Sequence, residues 1–172
     1  MKKRINTLTF AAMLTAMSVV IGIFCKNFLN FGGGLFRVTF ENLPIILSGI
    51  LFGPVVGAVV GVASDLVSYL LSAQVYPPNL VVTFGAAVIG FVSGIVSRVI
   101  VKKRGYSQII VAGISAHLLG SVIIKSVGLY QFYGIAVLWR VPLYFVIIFI
   151  EVLLLCLLYK NATFRRLLDK IS

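Results

Sequence analysis

Long apolar runs recur along this chain, most of them about 18 to 23 residues, and a helix of roughly 20 residues crosses the ~30 Å of hydrocarbon in a bilayer. Six runs can be marked, at 7–25, 42–53, 55–73, 79–101, 107–129 and 138–159. The second is too short to cross unaided, and Pro54 sets its end, because proline lacks the N–H that would continue a helix. It reads as a short span, with the polar hairpin ahead of it filling the remaining depth. With 60% hydrophobic and 11% charged residues among 172, the chain holds more apolar surface than one water-soluble core can hide. The expectation is an all-α integral membrane protein of one domain, 1–172: a bundle of six transmembrane helices with a hairpin between spans one and two.

Orientation follows from the cations. "MKKR" at the start, "KKRG" at 102–105 and "YKNATFRRLLDK" at 159–170 all fall on one side if six spans cross, and that side should be cytoplasmic. Both termini are then cytoplasmic and the hairpin is external. The net charge of +11 is mostly this topology signal together with attraction to anionic lipid, and it requires no nucleic acid. Three cations ahead of an apolar run also fit a signal peptide, but five more runs follow, which favours an uncleaved first helix.

Several chemistries lack their residues. Cys25 and Cys156 fall near opposite ends of their spans, too far apart for a disulfide. One histidine and no Cys/His cluster offer almost nothing to a metal, and no cofactor is implied. "FGGGLF" at 31–36 lacks the Gly-Lys-Ser/Thr ending that holds a nucleotide phosphate, so the chain is not expected to hydrolyse ATP or to be an enzyme.

Polar and small residues fall on stripes when the spans are read at about 100° per residue. Gly57, Gly61, Ser64, Asp65, Ser68 and Ser72 share a face of the third span; Thr83, Ala87, Gly90, Gly94 and Ser97 share one of the fourth. Small residues allow close helix contact in lipid, which accounts for the glycines. Asp65 is different, since a carboxylate in mid-span is costly and needs a partner or a ligand. Gly113, His117, Ser121, Lys125 and Gly128 line up on the fifth span, and Arg140, Tyr144 and Glu151 on the sixth. His117 alone reads as a hydrogen-bonded interior histidine.

Arg37, Lys125 and Arg140 come from three separate segments and converge toward the outer face, where topology disfavours positive charge. An anionic ligand explains that convergence. Snorkelling, or a pair such as Arg140 with Glu151, explains any single cation equally well. Tyr76, Tyr130, Phe132, Tyr133 and Trp139 stand near the same boundary, where an aromatic belt is usual. "SAQVYPPNLVV" adds Gln74, Tyr76 and Asn79 in a loop stiffened by Pro77 and Pro78, a lining that suits a flat ligand with polar edges.

"FENLPIILSGILFGPVVGAVVGVASDL", followed by "YPPN" and later "WRVP", closely resembles the vitamin-binding S components of energy-coupling factor (ECF) transporters, in particular the folate-specific ones. The resemblance covers nearly the whole chain. It implies a multi-pass protein of the bacterial cell membrane that binds a vitamin externally and works with a transmembrane coupling subunit and two ATPase subunits. "AAMLTA" then matches the Ala-x-x-x-Ala element that docks S components on the coupling subunit, which assigns Ala12 and Ala16 to partner docking. Folate carries a pterin, a benzoate ring and a glutamate tail with two carboxylates. The implied binding set is Arg37, Glu41, Asp65, Tyr76, Asn79, Lys125, Trp139 and Arg140. Within it Arg37, Lys125 and Arg140 face the carboxylates, Asp65 accepts from the pterin N–H groups, and Glu41 orders the hairpin or pairs Arg37. Glu151 is assigned to structure. Two alternatives stay open: another vitamin (pantothenate, riboflavin or thiamin, with the cation cluster arguing against cationic thiamin), or a self-sufficient secondary transporter.

Overall fold

The computed structural model describes residues 2–31, 36–72, 79–102, 105–162 and 164–165, and these are helical apart from one short hairpin and the connections between helices. Helix α1 (Lys2–Phe28) leads into antiparallel strands β1 (Asn30–Phe31) and β2 (Phe36–Arg37), paired Asn30 to Arg37. Helices α2 (Asn42–Phe52), α3 (Pro54–Leu71) and α4 (Leu80–Ile95) follow, and α4 continues as a π-helical turn, Val96–Ile100. Then come α5 (Tyr106–His117), a π-helical stretch Leu118–Lys125, α6 (Ser126–Tyr133), a 3₁₀ turn Gly134–Trp139 and α7 (Arg140–Lys160).

Four helical stretches among the described residues are long and apolar enough to cross a membrane: Ile5–Phe28, Pro54–Leu71, Leu80–Ile100 and Tyr106–Lys160. The last has 55 residues, about 80 Å if straight, but it is folded into two antiparallel legs. Tyr106 meets Tyr159 with ring centroids 5.1 Å apart, and farther along the same legs His117 meets Glu151. Gly134, at φ 54°, makes the break, in a backbone region that only glycine occupies without strain. The fifth apolar run therefore extends past 129 to Tyr133. Its middle is π-helical, which the spacing of apolar residues does not reveal.

Helix α2 is the bundle's core. Every residue of it except Leu43 is buried, and α1, α3, α4, α5 and α7 all pack against it. A helix enclosed all round shows no amphipathic stripe, and at 11 residues it is about 16 Å long. Gly53 (φ 93°) and Pro54 turn the chain sharply into α3, with proline at the first helical position, where its missing N–H costs nothing. The Arg98 guanidinium fills the space beside Gly53 that a side chain would need.

Helices α2, α3 and α4 meet backbone to backbone through Gly49, Gly57 and Gly90. A Cβ on Gly90 would strike the Gly57 carbonyl, one on Gly57 would strike the Gly90 carbonyl, and one on Gly49 would strike Ser93 Oγ. Neither carbonyl can move without shifting its helix, so Gly90→Val should destabilise the fold by about 1–3 kcal/mol. The expected readout is a lower midpoint of thermal unfolding in detergent, and an unchanged midpoint would mean that these contacts do not hold the three helices together. Outward faces carry Val55, Val59, Leu70, Phe84, Phe91 and Phe149, all exposed. Cys25 is buried and Cys156 half-buried, and both are free thiols.

Candidate functional site

The ends of the helices remote from Lys2, Lys102 and Lys160 enclose a cavity of about 580 Å³, within the usual ~300–1,000 Å³ range of small-molecule sites. It is bounded by the last turns of α1 and α3, the start of α2 with the hairpin, the first turn of α4, the 117–133 stretch and the start of α7. Among the described residues its wall carries four cations, Lys26, Arg37, Lys125 and Arg140, against two carboxylates, Glu41 and Asp65. Two positive charges are left over when the histidine is neutral.

The carboxylates are held differently. Glu41, just before α2, pairs with Arg37 Nη2 at 3.2 Å and faces Lys125 Nζ at 3.7 Å. Gly22 on α1 leaves the room that this carboxylate occupies, and Ser18 Oγ donates to the Glu41 carbonyl at 2.6 Å. Burial by itself would raise the Glu41 carboxyl, but Arg37, Lys125 and Lys26 outweigh it and hold it below the ordinary carboxylate value. Asp65 Oδ2 accepts a hydrogen bond from Thr83 Oγ1 at 2.6 Å. Among the described residues it has no salt-bridge partner.

Each cation has its own setting. Lys125 is buried and donates to Asn42 Oδ1 at 3.0 Å. Lys26, in the last turn of α1, donates to Ser68 Oγ at 3.0 Å and Ser72 Oγ at 3.3 Å on α3. Arg140 is 6% exposed; its guanidinium carbon lies 5.8 Å from the Tyr144 ring centroid, and Nε has no hydrogen-bond partner. It forms no salt bridge among the described residues. Lys125 and Arg140 thus point into the bundle and do not snorkel toward its surface. Arg140 does not pair with Glu151 either, since 11 residues along one helix separate them by about 16 Å. Glu151 contacts His117 instead.

The cavity wall brings together Arg37, Glu41, Asp65, Asn79, Lys125 and Arg140 from the sequence-derived set. Asn79 is largely committed to structure: its Oδ1 caps α4 through Val81 N and Val82 N, and its amide donates to the Gly128 carbonyl at 2.6 Å. Trp139 is not brought to the cavity wall. It is 71% exposed and outside the lining: it ends the 3₁₀ turn, where successive side chains point about 120° apart, and Arg140 takes the inward direction. Tyr76 lies outside the described residues. Ala12 and Ala16 are exposed on the outward face of α1, away from the packing within the bundle.

Lys26 was not singled out from the sequence, because it follows directly on an apolar run and looks like an ordinary terminal cation. The signal that marks Arg37, Lys125 and Arg140, positive charge at the end of the molecule opposite the basic termini, applies to it equally. Asn42 was missed as well, and Thr83 was placed on the inward stripe of the fourth span without a role; they act by holding Lys125 and Asp65.

A polar, ligand-sized cavity at one end of an apolar helical bundle is the arrangement that a substrate-binding component of a membrane transporter requires. A family model described as "ECF transporter, substrate-specific component" matches residues 6–164, and the chain belongs to that family. It is 26% identical over 103 residues to the "Folate transporter FolT" of Clostridium novyi (strain NT), covering 59% of this chain and 58% of that protein. It is 30% identical over 107 residues to the "Uncharacterized protein MG098 homolog" of Mycoplasma pneumoniae, covering 57% of this chain and 22% of that protein. The chain therefore spans less than two thirds of the length of the curated relatives it matches. A crystal structure of FolT bound with folic acid shares the fold, with a TM-score of 0.61 at 22% identity over 96% of this chain and 93% of that one.

Proposed function

We propose that this protein is the folate-binding subunit of an ECF-type vitamin uptake transporter in a bacterial cell membrane. The observation that carries the reading is the cavity's charge: among the described residues four cations against two carboxylates leave an excess that a dicarboxylate tail neutralises. Arg140 and Lys26, which form no salt bridge among the described residues, are the groups with charge to spare for it. Asp65 retains an acceptor oxygen for the N–H edge of a pterin. The FolT name of one relative and the folic acid in the similar solved structure point the same way.

In this reading six spans cross, α2 among them, with both termini cytoplasmic and the cavity facing outward. Ala12 and Ala16 lie on an outward face where a partner helix can approach closely. That face docks on a coupling subunit, and two ATPase subunits supply the energy. Purification of the protein, followed by mass spectrometry of the small molecule that accompanies it, tests the assignment. Folic acid or a reduced folate is expected, and a different vitamin would redirect the reading within the same family.

Asp65→Asn tests the pterin contact. The substitution keeps the size but turns one acceptor oxygen into a donor amide, so an N–H edge loses a bond and meets a donor. Folic acid affinity should fall about tenfold or more, with the unfolding midpoint unchanged. Normal binding would return Asp65 to helix packing with Thr83.

A further inference from the structure

Glu151, His117 and Ser121 form a chain of side chains from the buried side of α7 to the cavity wall. They are 0%, 1% and 2% exposed, respectively. Glu151 Oε2 lies against His117 Nε2, and His117 Nδ1 is 3.2 Å from Ser121 Oγ. His117 and Ser121 line the cavity, while Glu151 stands behind them. Among the described residues the Oε2–Nε2 contact is close but lacks the angles of a hydrogen bond, no donor reaches Oε1, and no lysine or arginine pairs with Glu151.

A buried pair with a net negative charge and no lysine or arginine in contact with it is costly, whereas a neutral pair is not. Neutrality means two exchangeable hydrogens shared between the carboxyl and the imidazole. The closeness of Oε2 and Nε2 requires one of these hydrogens to lie between them, whichever atom bears it, because two bare lone pairs in contact would repel. Placing the other on Oε1 would strand a buried hydroxyl, since Oε1 has no partner. It is therefore on Nδ1, which donates to Ser121 Oγ. The Ser121 hydroxyl hydrogen then has no acceptor among the described residues and is free to point into the cavity.

We infer that Glu151, acting through His117, fixes Ser121 as a hydrogen-bond donor toward the bound ligand, reading a carbonyl oxygen or an unprotonated ring nitrogen. Ser121 is the contact, and Glu151 and His117 are positioning residues. The ligand half of this inference rests on the folate reading above. It complements Asp65: one wall of the cavity accepts from the ligand and another donates to it.

His117 is the chain's single histidine, so ¹⁵N-histidine labelling of the full-length protein in detergent gives one imidazole spectrum. Without ligand, Nδ1 should resonate as a hydrogen-bearing nitrogen. In Glu151→Gln, where charge neutrality no longer demands that hydrogen, the Nδ1 signal should move toward the bare-nitrogen position. Ser121→Ala should weaken folic acid binding about tenfold, as expected for one hydrogen bond. A bare Nδ1 in the wild type, an identical Nδ1 signal in Glu151→Gln, or unchanged affinity in Ser121→Ala would each overturn the inference. Should Glu151→Gln fail to fold, the wild-type spectrum and Ser121→Ala still decide. Failure of the wild type to bind folic acid would overturn the folate reading separately, because the spectrum is recorded without ligand.

Discussion

Arg140→Ala is expected to weaken folic acid binding about 100-fold, close to 3 kcal/mol, since a charge-assisted hydrogen bond is lost and a ligand carboxylate is left in a desolvated site. Arg140 is buried at the start of α7 and forms no salt bridge among the described residues. Its charge is available to a ligand in a way that those of Arg37 and Lys125, which share Glu41, are not. Removing it from the unliganded protein strands no partner, so the fold should survive. Calorimetry on folded protein measures the effect, and equal affinity in the mutant would remove Arg140 from the site.

Ala12→Trp combined with Ala16→Trp should abolish ATP-driven uptake while leaving folic acid affinity intact. Both alanines lie on the exposed face of α1 and outside the lining of the cavity. Bulky side chains there disturb no packing within the bundle but hold a partner helix away. Uptake by the assembled complex and binding by the isolated protein are the two measurements. Normal uptake in the double mutant, or joint loss of binding and uptake, would count against docking through this face.

Much of the inward surface was legible in the sequence. Gly113, His117, Ser121, Lys125 and Gly128 share a stripe and are all buried; Arg140, Tyr144 and Glu151 do the same on α7. Helical periodicity reads such faces well, because each polar group must avoid the hydrocarbon. Partners across the bundle were less legible. Glu151 lines up with Arg140 on one helix, yet its contact is His117 on another, and spacing along one chain cannot report that. The enclosure of α2 was hidden for a related reason: a uniformly apolar segment looks the same facing lipid as facing other helices. Trp139 illustrates the limit of depth arguments, which place a residue at the right level of the membrane without saying which way it points.

Titration of folic acid into the purified full-length protein, with pantothenate, riboflavin and thiamin as comparisons, tests the central claim most directly. One folic acid should bind per chain, and none of the other vitamins should displace it. No binding of folic acid, or tighter binding of one of the other three, would contradict the assignment of this cavity to folate.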